Sequence, residues 1–263
     1  MTAPFIEVER SAWRHGHAAA GARTIPEETA VAFTYNGTTH AVMMATPQDL
    51  EEFAVGFSLT EGIVSDASEI ESIEIVEEPN GIELRMWLAE PRAGAFLARR
   101  RALAGPTGCG LCGIESLDEA MRRMTPVEDD TEVSPSEIAA ALSAMPELQA
   151  INRVTRAVHA AAFCKDSKIV ALREDVGRHN ALDKLAGALT RDNRTGTGGF
   201  AILTSRLSVE LVQKAATMGL PVLVAVSAPT ALAVRTAEAA NITLVAIARS
   251  DGFEVFTHAR RIR

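Results

Sequence analysis

Two cysteines, Cys109 and Cys112, are enclosed by three glycines in Gly108-Cys109-Gly110-Leu111-Cys112-Gly113. Glycine permits unusual backbone angles and close approach by a partner. The thiolate is the reactive form of cysteine, and backbone N–H groups at a loop or helix start favour it. A helix predicted to begin at Ser116 adds to that bias. The residues alone leave four readings open. The pair is half of a tetrahedral zinc site, with Cys164, His159 and His179 as paper candidates for the rest, though they form no second ligand pair. It is a dithiol–disulfide couple, though no thioredoxin-like strand and helix precede it. One thiol carries sulfane sulfur as a persulfide. Or both thiols are buried and inert, as cysteines often are. The glycine density favours exposure and chemistry.

A second group is Arg173-Glu174-Asp175-Val176-Gly177-Arg178-His179-Asn180, placed where a predicted strand gives way to a helix. Ligands of open sheets bind at such strand ends. The competing reading is a helix cap, with Asp175 or Gly177 as the capping residue and the charges paired on the surface. Three more turns follow the same plan: Thr204-Ser205-Arg206-Leu207-Ser208, Ser227-Ala228-Pro229-Thr230 and Arg249-Ser250-Asp251-Gly252. Hydroxyls, arginine and helix N-termini suit phosphate, and four such turns on one sheet edge could line one anionic pocket. Lys184 and Lys214 fall on helices, where a solvated face is the default.

The elements that must hold these residues fall into two regions. In the first, strands at 31–35 and 38–44 flank Asn36-Gly37, a two-residue hairpin signal. Thr46 and Pro47 read as the cap and first residue of a helix that runs to Glu61 and stops at Gly62. A second strand pair, 72–76 and 82–88, surrounds Pro79-Asn80-Gly81, and Ile82, Leu84, Met86 and Leu88 alternate along it. A helix is predicted over 91–101 and another over 116–123, with an acidic linker or surface loop at 125–133. Ser134-Pro135-Ser136-Glu137 then has the pattern of a capped helix start. From 168 onward, short apolar strands at 169–172, 201–203, 222–226 and 244–247 alternate with helices at 178–189, 208–218 and 230–239. That alternation predicts a parallel sheet covered by helices.

The chain has 263 residues, 47% of them hydrophobic and 23% charged, which is ordinary for a globular protein with one large or two modest domains. Its net charge of −8 argues against nonspecific nucleic-acid binding. Three cysteines argue against a disulfide framework. No run approaches the roughly 18 apolar residues of a membrane span, and the first 23 residues carry no apolar run of signal-peptide length. The expectation is a cytoplasmic protein with no membrane or nucleic-acid partner.

Taken in order, these segments resemble the formate dehydrogenase accessory sulfurtransferases, the FdhD family. The matching stretches are Tyr35-Asn36-Gly37, His40 through Pro47, Gly56-Phe57, Thr60-Glu61-Gly62, the cysteine loop, Arg173 through Lys184, Ser205-Arg206, Val212-Gln213-Lys214 and Ser227-Ala228-Pro229-Thr230. The resemblance implies an α/β fold: a C-terminal cytidine-deaminase-like three-layer sheet domain over 134–263, a smaller N-terminal α+β domain over 1–105, and the cysteine loop and linker over 106–133. It implies a persulfide on Cys109, with Cys112 assisting or stabilising the loop. Sulfur would arrive from a cysteine desulfurase and leave for the molybdenum of a bis(molybdopterin guanine dinucleotide) cofactor, bound as substrate and needed by formate dehydrogenase. Cofactor-binding residues would be Ile247, Ala248, Arg249, Ser250, Asp251 and Gly252, joined by Ser205, Arg206 and His179 on the strand-end argument. A homodimer is implied and no zinc. His159-Ala160-Ala161 lacks the glutamate of a zinc deaminase, so only that scaffold is expected. The chain departs from the family at Arg156, where a glycine is expected, and at Cys164, which reads as a small buried residue. The alternative from another class is a non-catalytic chaperone for the molybdenum cofactor. A zinc-binding regulatory protein is a third.

Overall fold

The computed structural model describes residues 2–90, 92–94 and 124–263. Cys109, Cys112 and the helix predicted over 116–123 lie outside the described residues, as does most of the helix predicted over 91–101.

The first lobe is a four-stranded sheet of order β4-β3-β6-β5, built from β3 (Thr29–Tyr35), β4 (Thr38–Ala45), β5 (Ile70–Glu78) and β6 (Gly81–Leu88). Both predicted hairpins are present, and the central β3–β6 pair is parallel. Asn36 and Gly37 turn with φ of 49° and 76°, as a tight hairpin requires. Alternation places Val31, Phe33 and Tyr35 with Ile82, Leu84, Met86 and Leu88 on one buried face. Helix α1 (Leu50–Thr60) packs there through Phe53 and Phe57, whose rings lie 4.9 and 4.1 Å from that of Phe33.

Helix α1 begins later than the sequence predicts. Its N-cap is Asp49, in a left-handed conformation (φ 56°), and Thr46 is not the cap. Thr46 is fully buried and joins the two lobes. Its N–H donates to Asp175 (3.0 Å), its hydroxyl accepts the Val176 N–H (3.1 Å) and its carbonyl accepts from Lys184 (2.8 Å).

The second lobe is a six-stranded sheet of order β12-β11-β10-β9-β7-β8. Its strands are β7 (His159–Lys165), β8 (Lys168–Asp175), β9 (Phe200–Leu203), β10 (Val222–Ala225), β11 (Thr243–Arg249) and β12 (Gly252–Val255). The prediction of a parallel sheet holds for β9, β10 and β11 only. The strand predicted at 169–172 belongs instead to an antiparallel hairpin with β7, turned by Asp166 and Ser167 at φ of 52° and 60°. Helices α4 (Arg178–Arg191), α5 (Val209–Thr217) and α6 (Ala231–Ala239) pack on one face, and α2 (Pro135–Leu148) packs on the other. These are three layers, as expected. Helix α2 begins with the predicted capping box between Ser134 and Glu137. The short helix α3 (Ala150–Thr155) ends at Arg156, whose φ of 58° is the left-handed conformation that favours glycine. The glycine expected at that position thus has a backbone reason, and arginine holds the same geometry here. Residues 124–132 form no helix or strand, yet Val127 and Val133 are buried against this lobe.

Strands β1 (Phe5–Arg14) and β2 (His17–Pro26) form a separate two-stranded arm, exposed along most of its length. The sequence reading missed it because Ala18-Ala19-Ala20-Gly21-Ala22 is poor in strand-forming side chains.

Helices α1 and α4 cross at glycines. A methyl group on Gly56 would lie 1.7 Å from the Asp183 carbonyl oxygen, and one on Gly187 would lie 1.9 Å from the Glu52 carbonyl oxygen. Around this crossing the seam is polar. Arg173 forms a two-pronged pair with Glu52, Asp183 accepts from Thr60 (2.6 Å), and Lys214 bridges Asp183 (2.9 Å) and Glu61 (2.5 Å). Lys184 pairs with Asp175 at 2.6 Å. Both lysines are buried, against the expectation of a solvated face, because each finds a carboxylate across or beneath the seam. Burial pulls the pKa of Lys214 down, but Asp183 and Glu61 override it and hold it above the ordinary value.

In an isolated helix, Gly→Ala stabilises by about 1 kcal/mol. Gly187→Ala should do the opposite here, lowering stability by about 1–3 kcal/mol in urea unfolding because the helices must part. A variant at least as stable as the parent would contradict this crossing.

Candidate functional site

Strands β8 and β9 are both antiparallel to β7, so β8, β9, β10 and β11 all end at the same sheet edge. The N-terminus of β7, at His159, lies there too, paired in register with Asp175. The four polar turns therefore share one rim. Backbone hydrogen bonds lace it together: Ile247 N–H to the Ser227 carbonyl (3.3 Å), Leu207 N–H to Ala228 (3.3 Å), Thr230 N–H to Leu207 (3.0 Å) and Thr204 N–H to Ala160 (3.1 Å).

The rim is long. From β11 to β8 it crosses four strand spacings, about 19 Å at the usual separation. One compact phosphate pocket cannot include all four turns. An elongated ligand can touch them all.

At the β11 end, the chain makes a bulge at Ile247, whose φ of 53° is strained for a β-branched residue. Ala248 stays buried, while Arg249, Ser250, Asp251 and Gly252 emerge at the surface. At the β9 end, Arg206 is exposed, but Ser205 is buried and donates its hydroxyl proton to the Arg206 carbonyl (3.0 Å). His179, in the first turn of α4, lies 2.9 Å from Glu210 and 3.3 Å from Ser208 on α5. The rim thus brings His179 to the Thr204–Ser208 turn and leaves residues 247–252 two strands away.

The stretch leading into α4 is not a surface cap. Asp175 is fully buried and accepts from Thr46 N–H, Lys184, Gly177 N–H (2.7 Å) and Asn180 (2.9 Å). Glu174 is buried as well and accepts the N–H groups of Ile151 and Asn152, both at 2.8 Å. Gly177 is the N-cap of α4 and supplies no side chain; a methyl there would strike the Asn180 amide at 2.6 Å. Helix α5 also begins without a side-chain cap, whereas Thr230 caps α6. Two helix N-termini therefore face the rim with N–H groups open to an anion.

Sequence reasoning placed Arg178 in this group but gave it no role of its own. Its Nε is buried and has no hydrogen-bond partner. Burial lowers the pKa of His159, and Arg178 lowers it further, against Asp175. Burial also lowers that of His179, against the pull of Glu210, with Arg178 and Lys214 adding to the fall. Both imidazoles are therefore held neutral at neutral pH.

The paper zinc set does not converge. Cys164 lies in the core at the far end of β7 from His159, about 16 Å along the strand. As expected it is buried, and burial pushes its thiol up to about 12. Among the described residues, no three metal-ligating side chains are grouped for a metal ion.

Residues 26–263 match the model of the FdhD/NarQ family. The chain belongs to that family. Three FdhD relatives share its length. A protein of Agrobacterium fabrum named sulfur carrier protein FdhD is 53% identical over 100% of this chain and 97% of its own. Those of Brucella abortus and Cupriavidus necator, with the same name, are 51% and 48% identical over 91% and 96% of this chain and 90% and 88% of their own. The FdhD fold is also seen in the crystal structure of a putative formate dehydrogenase accessory protein from Desulfotalea psychrophila. It matches with a TM-score of 0.79 at 24% identity, covering 98% of this chain and 99% of that one. No helix among the described residues is long and apolar enough to cross a membrane.

Proposed function

We propose that this FdhD-family protein is a cytoplasmic sulfurtransferase that serves formate dehydrogenase. A cysteine desulfurase donates sulfane sulfur to Cys109, and the sulfur passes to a bis(molybdopterin guanine dinucleotide) molybdenum cofactor bound as substrate. The observation that carries this reading is the strand-end rim. It is a long edge with two uncapped helix N-termini, exposed Arg206 and Arg249, and the orphaned Nε of Arg178, a donor set suited to an extended polyanion. Family membership and the names of the relatives support the sulfur chemistry.

The Cys109 thiolate attacks the outer sulfur of the donor persulfide; that S–S bond breaks, the donor leaves as a thiolate and Cys109 holds the persulfide. Cys112 then attacks the inner sulfur of that persulfide. The outer sulfur departs as sulfide for the metal, and a Cys109–Cys112 disulfide remains for a thiol reductant to reset. At the rim, His179 and Arg206 bind one stretch of the dinucleotide. Residues 247–252, with Arg249 exposed, bind another, and Ser205 shapes the turn between.

The homodimer belongs to the same reading. An isolated two-stranded hairpin is marginal in water. The β1–β2 arm leaves Trp13 74% exposed and Ile6 43% exposed, and a second copy is the partner that covers it. In sedimentation equilibrium the protein should be dimeric, and Trp13→Asp should weaken the dimer at least about tenfold. A monomeric parent, or a dimer indifferent to this change, contradicts the arm's role.

Mass spectrometry after incubation with a desulfurase and cysteine tests the sulfur step. Wild type should gain one sulfur, reversible by a thiol reductant, and Cys109→Ala should not. A Cys109→Ala protein that gains sulfur undiminished, or a Cys109→Ser variant that supports full dehydrogenase activity, would favour the non-catalytic chaperone.

A further inference from the structure

Arginines taken out of water in this fold are given acceptors. Arg85 pairs with Glu83, Arg92 with the carbonyls of Gly62 and Ile63, Arg173 with Glu52, and Arg261 with the Asp129 carbonyl. The Nε of Arg261 is likewise buried without a partner, but its terminal nitrogens are paired; Arg178 is the exception among these in having no hydrogen bond or ion pair to any described residue. It is half-buried, its Nε is shielded from solvent without a partner, and no carboxylate pairs with it. Arg206 and Arg249 are also unpaired, but they are exposed and water satisfies them. A charged donor removed from both water and protein acceptors is unfavourable unless something else supplies the acceptor.

The carboxylate nearest in the chain does not supply it. Asp175 is saturated by Thr46, Lys184, Gly177 and Asn180. Glu174 is occupied by the start of α3. His159 on β7 pairs in register with Asp175 at the end of β8, and Arg178 and His179 open α4 just beyond it, so the three residues share the stretch of rim where β7, β8 and α4 meet. The opening turn of α4 adds N–H groups without a side-chain cap. A guanidinium fork, the His159 imidazole and the opening N–H groups of α4 form a donor set for a tetrahedral oxyanion, while His179 gives its one N–H to Glu210.

We propose that Arg178 is the anion-reading residue of the rim, seating one phosphate of the dinucleotide with His159 and the opening N–H groups of α4 beside it. The inference rests on the reading that this rim takes a guanine dinucleotide. It puts a phosphate at the β7–β8 end, far from residues 247–252, so the ligand lies along the edge with contacts at both ends.

The test uses the full chain, with GDP and inorganic pyrophosphate as probes in calorimetry. Arg178→Met should weaken both about ten- to a hundredfold, the loss expected for charge-assisted hydrogen bonds. Arg178→Lys should recover only part, because the fork is lost. Two further measurements separate binding from folding. Arg178→Met should unfold at a denaturant concentration equal to or above that of the parent, since no protein partner is lost. The His159 titration midpoint, followed by NMR, should rise in the same variant as the neighbouring cation disappears. If wild type binds neither probe, the dinucleotide reading and this proposal both fall. If wild type binds GDP and Arg178→Met binds it equally well, the proposal alone falls. An Arg178→Met protein that is clearly destabilised, or an unmoved His159 midpoint, would also overturn it.

Discussion

Two lysine ammonium groups buried between the lobes set the constraint on which the molecule depends. Lys184 meets Asp175 and the Thr46 carbonyl; Lys214 meets Asp183, Glu61 and Thr60. Buried ion pairs add little net stability over apolar packing, but removing one partner costs about 3–5 kcal/mol. Their main effect is therefore selective: an arrangement of the lobes that leaves either lysine unmatched is strongly disfavoured. The glycine crossing of α1 and α4 permits that one arrangement, since only bare backbone fits at Gly56 and Gly187. Lys184 and Lys214 also lie 5.4 and 5.5 Å from the ring centres of Phe53 and Phe57, which ties the charge seam to the apolar core of the first lobe.

The same constraint reaches the rim. Asp175 faces the seam with one oxygen and the turn into α4 with the other. It fixes Gly177 and Asn180, and through them the direction in which α4 starts. Arg178 and His179 are carried on that first turn. The seam is thus a positioning device for the strand-end edge, while in the proposed function the thiols belong to another stretch of chain. This division suits a carrier. The thiols must meet a donor, whereas the cargo seat needs a rigid scaffold.

Much of the scaffold was legible in the sequence. Asn36-Gly37, the alternation along 82–88, the capping box at Ser134 and the strand–helix alternation after 168 are local signals, and local physics decides them. Less legible were elements whose reason is tertiary. Thr46 has the composition of a cap but is consumed by Asp175 and Lys184 of the other lobe. Strand β7 was hidden in the alanine-rich His159–Lys165, and its hairpin with β8 turned an expected all-parallel sheet into a mixed one. Lys184 and Lys214 carry no sequence mark that they are buried. Of the rim, the four strand-end turns were legible, and they do share one sheet edge. Arg178 was not singled out, because a missing partner is a property of the folded molecule. A Gly-Arg-His start to a helix with no Ser, Thr, Asp or Asn cap was the signal available.

The central claim is that sulfur rides on this protein to a bound cofactor. It is tested most directly by following the atom. Cys109 would be charged with sulfur-35 from labelled cysteine and a desulfurase, the donor removed, and the guanine-dinucleotide molybdenum cofactor added. Label would then be counted in cofactor separated from protein. The account predicts that label leaves wild type for the cofactor and that Cys109→Ala delivers none. Label that stays on the protein while cofactor binds, or equal delivery by Cys109→Ala, would contradict it.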